Sequence, residues 1–163
     1  MKTFRQISLL LLLFLLAVSS TAFAADWQRI GANDKCAHFF DRDSIRYERF
    51  YPPFFGKSRP DTSRITYWEK ITIAPEEAEA MAEELDDPRY LHLDYVLLLE
   101  TASLHDRTIT IREEIRYDRA GNILLRDLSE RVSNIIPGSW GEVVFNTVID
   151  YARLHHEELL QNT

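Results

Sequence analysis

Glu69 and Glu113 each interrupt the apolar face of an alternating segment. Two carboxylates opening on one cavity would make an acid–base pair, whereas a carboxylate beside one of this chain's many arginines is structural. Cys36-Ala37-His38 sets a thiol and an imidazole on one strand face, with Asp34 or Asp41 within reach as a third ligand. A structural zinc takes four such ligands, and no second Cys/His pair stands at a matching spacing, so no metal is expected. His155 and Glu158 fall one helical turn apart, but His155 also lies on an apolar stripe and packing accounts for it. The acidic run Glu76, Glu77, Glu79, Glu83, Glu84, Asp86, Asp87 has no base within it and lacks the ligand spacing of a calcium loop. A solvated helix face explains it, with docking of a basic partner as the sharper alternative. Ser139 lacks the flanking pattern of a nucleophile elbow, and no nucleotide-binding, zincin or CxxC pattern occurs. These residues predict no catalytic centre and no cofactor.

Recognition has one better candidate. Arg49 to Pro60 crowds aromatics, prolines and bases into a stretch read as irregular, with Tyr51, Phe54, Phe55, Lys57 and Arg59 as the partner-binding residues. Prolines stiffen such a loop, while Tyr and Phe offer contact area at small entropic cost. The competing reading folds those aromatics back over a sheet edge.

The elements that must position these groups are mostly strands. Trp27–Ile30 and Cys36–Phe40 are short strand candidates around a turn at 31–34. Residues 64–73 alternate, with Ile65, Tyr67, Glu69, Ile71 and Ile73 on one face. Residues 107–118 repeat this, with Ile109, Ile111, Glu113, Ile115 and Tyr117 together. The apolar run Leu91–Leu99 predicts a central strand buried on both faces. Ala120-Gly121-Asn122 turns the chain into a strand at 123–128, and connections this short predict an antiparallel sheet. A short acidic helix opens at Pro75, with Ala78, Met81 and Leu85 as its apolar stripe, and ends at Pro88. Ser139 and Glu142 form a capping box that opens a last helix. Its stripe of Val144, Val148, Tyr151, His155 and Leu159 should lie on the sheet.

Composition places the domain. Lys2 and Arg5, an apolar run from Ile7 to Val18 and the Ala22-Phe23-Ala24 site predict a cleaved secretory signal over residues 1–24, leaving 25–163 as one domain. Loss of Lys2 and Arg5 takes the formal charge from −7 to −9, which argues against nucleic acid and anionic lipid as partners. Cys36 is the single cysteine, so no intrachain disulfide forms and the core alone holds the fold. It lies too deep in the chain for lipidation at the cleavage point, so no stable membrane anchor is expected. A half-buried thiol is the plain reading of Cys36, and an intermolecular disulfide the sharper one.

Taken in order, Asp26-Trp27-x-x-Ile30-Gly31, Asp41-x-x-Ser44-Ile45, Trp68-x-Lys70, Tyr117-x-x-x-Gly121 and Ile136-Pro137-Gly138-Ser139-x-Gly141-Glu142 resemble the bacterial surface-adhesin protein E family. The resemblance spans nearly the whole of 25–163. It implies a small exported α+β domain, a twisted antiparallel sheet of about five to six strands packed by a C-terminal helix, here with the acidic helix inserted. It also implies an adhesin-like, non-enzymatic domain that binds a protein partner, either a host matrix protein or an envelope component, and that can dimerise. Where many members pair two cysteines, this chain has Leu104 and Ile149. Unlike the lipid-anchored adhesins, it is expected to be periplasmic, secreted or associated with the cell envelope. The alternative task is a structural or assembly role in the envelope.

Overall fold

The computed structural model describes residues 25–53 and 56–163. The expected signal segment, Phe54 and Phe55 lie outside the described residues.

The chain forms β1 (Trp27–Ala32), β2 (Cys36–Asp41), β3 (Arg46–Phe50), β4 (Arg59–Ile73), α1 (Pro75–Glu84), β5 (Leu93–Ser103), β6 (Thr108–Asp118), β7 (Ile123–Asp127), β8 (Arg131–Asn134), α2 (Trp140–Leu154) and α3 (His156–Gln161). Short 3-10 turns at Arg42–Ser44 and Pro88–His92 join β2 to β3 and α1 to β5. All eight strands make one antiparallel sheet in the order β1-β2-β4-β5-β6-β7. The fold is thus α+β with an antiparallel sheet and a C-terminal helix.

The strand number exceeds the expectation because the long central strands carry two short partners on each outer edge. β2 pairs with β4 over Glu69–Ile73, and β3 with the same edge over Arg59–Thr66. Likewise β7 takes Glu114–Tyr117 of β6 while β8 takes Thr108–Ile111. Neither β3 nor β8 has a clean alternating pattern, so both escape a reading based on period two. β3 also corrects the expectation that Arg49–Pro60 is irregular throughout. Arg49 pairs with Pro60 and Phe50 with Arg59, so only the middle of that segment is a loop. Pro60 is tolerated because it sits at the start of its strand, where a missing N–H costs little.

The helices pack on one face. Val144, Phe145, Val148, Ile149 and Ala152 of α2 and Leu159 of α3 join Phe40, Tyr47, Ile65, Tyr67, Ala102 and Ile109 of the sheet in the main core. Each buried Val, Leu, Ile or Phe side chain of this core contributes about 1.5–3 kcal/mol. Ile149 and, partly buried, Leu104 both belong to this core. The expected stripe is therefore too narrow, since Phe145 and Ile149 are buried beside it. The helix also breaks at His155, which ends α2 and precedes α3. A smaller cluster joins Ala78 and Ala82 of α1 to Tyr90, Leu93 and Ile73. Leu85, expected on the α1 stripe, is instead exposed, because the helix ends before it and Ala82 takes the inward position.

The opposite face carries Phe39, Trp68, Lys70, Tyr95, Leu97, Leu99 and Tyr117, none of which belongs to either core cluster and all of which are half-buried. Leu91–Leu99 is therefore corrected. β5 is central and its Val96 and Leu98 are buried, but Leu97 and Leu99 face outward.

Candidate functional site

Strand register brings a set of polar side chains together on the inner, helix-covered face. Phe40 lies opposite Glu69 and His38 opposite Ile71, so His38, Glu69 and Tyr67 share this face. Tyr67 in turn lies opposite Glu100 of β5. The side chains join into one chain of contacts. Cys36 Sγ stands 3.3 Å from His38 Nε2, and His38 Nδ1 stands 2.6 Å from Glu69 Oε1. Glu69 and Glu100 are buried together on this face and titrate as neighbours, and Tyr67 Oη donates to Glu100 Oε2 at 2.5 Å. Asn33 Oδ1 accepts from the Cys36 backbone N–H and approaches its sulfur at 3.6 Å.

Helix α2 locks the imidazole. Ser139 accepts the Glu142 N–H at 3.3 Å, and Glu142 Oε2 accepts the Gly138 N–H at 2.8 Å, so the capping box closes one residue early. The cap fixes Trp140, whose ring stacks on His38 with centroids 5.1 Å apart. The same ring lies over Gly31, where an added Cβ would meet it at 2.8 Å, so any larger residue at this position in β1 would displace the Trp140 ring.

Burial sets the protonation of this chain. Glu69 is 4% exposed and Glu100 3%, and desolvation raises Glu69 to about 8 and Glu100 well above the ordinary carboxyl range. Desolvation lowers His38 and raises Tyr67 well above its usual value. Near neutral pH the His38–Glu69 contact is thus a hydrogen bond between neutral groups rather than an ion pair, which spares the fold an unpaired buried charge. Cys36 is half-buried, and desolvation together with the Glu77 and Glu69 charges raises its thiol.

The expected Glu69–Glu113 pair is not formed. A bulge in β6 between the Leu99–Glu113 and Glu100–Ile111 pairs leaves Arg112 extra and turns everything beyond it to the other face. Ile109 and Ile111 therefore face inward, while Glu113, Ile115 and Tyr117 face outward beside Leu99, Leu97 and Tyr95. Glu113 pairs there with Arg126 at 2.7 Å. Cys36 and His38 do share a face, but no group of three or more His, Cys, Asp or Glu side chains among the described residues has metal-holding geometry. His155 Nδ1 meets Glu158 at 3.3 Å in an exposed pair, and its ring stacks on Tyr151.

A second cluster lies on the outward face. Glu48 accepts from Arg64 Nε at 2.5 Å, contacts Arg112 at 2.5 Å and is approached by Thr66 and Thr101 at 3.4 and 3.3 Å. Burial pushes its carboxyl up, but the Arg64 hydrogen bond and the Arg112 and Arg64 charges outweigh it and hold the group below its usual value. Arg46, Glu48, Arg49, Tyr51, Leu99 and Arg112 line an open cavity of about 520 Å³. Arg112 Nε is buried there without a hydrogen-bond partner among the described residues.

Of the residues expected to bind a partner, Tyr51 is 70% exposed at the rim of this cavity. Lys57 is exposed, and Arg59 stacks over the Phe50 ring at 5.3 Å beside a separate cavity. Arg46, Arg49 and Arg112 were outside that set. Only Arg49 fell within the segment singled out, and the bulge that aims Arg112 leaves no mark in the alternation. No family model matches this chain, and no curated protein matches it.

Proposed function

We propose that this chain is an exported, non-enzymatic binding domain whose outward sheet face docks a protein partner, adhesin-like in the sense of the protein E resemblance. The observation that carries the reading is the asymmetry of the sheet. Helices cover one face, while the other presents Phe39, Trp68, Leu97, Leu99 and Tyr95 half-buried and outside both cores. At one end of that face Arg46, Arg49 and Arg112 surround a cavity rimmed by Tyr51. Glu48 already pairs with Arg112 there, and in a chain of formal charge −7 the remaining excess of Arg46 and Arg49 favours a partner that brings a carboxylate to the cavity and apolar side chains to the strands beside it.

Export rests on the signal-like residues 1–24, and the lack of a lipidation context at Cys36 favours a chain without a lipid anchor. No helix among the described residues is long and apolar enough to cross a membrane.

The test is capture from matrix and envelope extracts, followed by titration of the purified captured protein against wild type, Tyr51→Ala and Arg49→Ala. Each substitution is expected to weaken binding by about tenfold, the scale of a moderate hot spot. Equal affinity for all three proteins would overturn this reading. Capture of envelope components alone would point to the assembly role instead.

A further inference from the structure

We propose that Cys36 is a nucleophile served by a His38–Glu69 relay, and that it exchanges with the disulfide of a small thiol compound. Three observations carry this. The sulfur has a base at hydrogen-bond distance, with Nε2 at 3.3 Å, and the base has its own orienting group, with Glu69 at 2.6 Å from Nδ1. That order of nucleophile, base and orienter is the arrangement by which weak nucleophiles are activated. The imidazole is held from a third side by the Trp140 ring, so it has little freedom to leave the sulfur. Finally, Cys36 is half-buried while His38 and Glu69 are buried, so of the three residues Cys36 is the most open to solvent.

The substrate class follows from the surroundings. The cavities at Tyr51, Phe50, Ile45 and His155 are not lined by Cys36. Acyl transfer needs donors placed around a developing oxyanion, whereas thiol–disulfide exchange needs only access to a sulfur along its bond axis. A half-buried sulfur between Asn33 and His38 admits a small disulfide more readily than the bridge of a folded protein.

The step balances without a further reactant. His38 Nε2 takes the Cys36 thiol proton, and Sγ attacks one sulfur of the incoming disulfide. The Cys36–sulfur bond forms as the incoming bond breaks, and the departing thiolate takes the proton from the His38 imidazolium. Cys36 is oxidised to a mixed disulfide and the departing sulfur is reduced to a thiol. One incoming disulfide is consumed per chain, so the reaction is a stoichiometric modification and not turnover.

The relay also sets when Nε2 can act as a base. While Glu69 holds its proton, its hydroxyl donates to Nδ1 and Nε2–H points at the sulfur. Once the Glu69–Glu100 pair gives up a proton, Nδ1–H donates to Glu69 and the Nε2 lone pair faces Sγ. Tyr67 lies behind Glu100, Trp140 contributes no charge, and Lys35 and Glu77, which pair with each other at 2.7 Å, are the other charged neighbours of Cys36.

The test is the rate of reaction of the purified full-length chain with oxidised glutathione and with an aromatic disulfide, from pH 6 to 9. The relay predicts that near pH 8 the folded wild-type thiol outpaces the thiol of folded His38→Gln by about tenfold, a modest share of what general-base assistance supplies. His38→Gln should keep a cooperative melt, and Cys36→Ser should not react. Glu69→Gln should flatten the rise in rate with pH. An unchanged rate in folded His38→Gln overturns the proposal, and so does an undiminished rise in rate with pH in folded Glu69→Gln.

Discussion

A carboxyl group held in an apolar interior keeps its proton to a higher pH than the same group in an unfolded chain, and folding and titration are then linked. Glu69 moves from 4.5 to about 8 on folding through desolvation, and Glu100 moves in the same direction. Their contribution to stability is complete below pH 4.5 and declines as pH rises toward about 8. His38 has the opposite sign, since burial lowers it from 6.5 and its contribution is lost as pH falls below that value. Between pH 6.5 and 8 the carboxyls alone set the slope, with a loss of up to about 1.4 kcal/mol per pH unit for each proton. Urea unfolding across this range should show declining stability for wild type and a shallower decline for Glu69→Gln. A flat wild-type profile would contradict the buried, protonated pair. The Cys36–His38 half of this site was legible as two side chains on one strand face. Glu100 was hidden because it continues an apolar run, and its partner Tyr67 reads as one more core aromatic.

Among the elements, α2 carries most of the packing and is the one most open to test. Ser139→Ala removes the N-cap acceptor and should cost about 1 kcal/mol. Phe145→Ala opens the main core and should cost about 3–5 kcal/mol, both read from urea midpoints at constant slope. The two alter different features of the same helix, so Ser139→Ala should also loosen the Trp140 stack on His38, visible as a change in tryptophan fluorescence. The capping box, the Pro75 start and the hairpin at Gly121 were legible because each follows from local backbone chemistry. The β6 bulge was not, because Ile109 to Tyr117 alternates without interruption and only pairing with β5 reveals the extra residue Arg112. That single shift separates Glu113 from Glu69, which alternation alone had placed within reach of a common site.

At the scale of the whole molecule the sheet has a covered face and an uncovered one, and adjacent residues of β5 report on each. Leu98 is buried on the inner face opposite Glu69, whereas Leu97 is half-buried on the outward face. Leu98→Lys should cost several kcal/mol through an unpaired buried charge and is expected to unfold the domain at ambient temperature. Leu97→Lys should leave the melt within about 1 kcal/mol of wild type, because a lysine stem lies along apolar surface while its head reaches water. Comparable loss in both would mean that the outward face is covered in solution.

The paired edges have a further effect on how copies of the chain meet. The longest hydrogen-bond ladders, along β4, β5 and β6, are enclosed within the sheet. The strands left outermost, β1, β3, β7 and β8, run six, five, five and four residues, and the first three carry register shifts. Such stubs offer a passing strand too few consecutive backbone partners to seed a growing ribbon. Concentrated solutions should therefore stay free of fibrils, and any dimer should join through the broad sheet face, leaving its edges open.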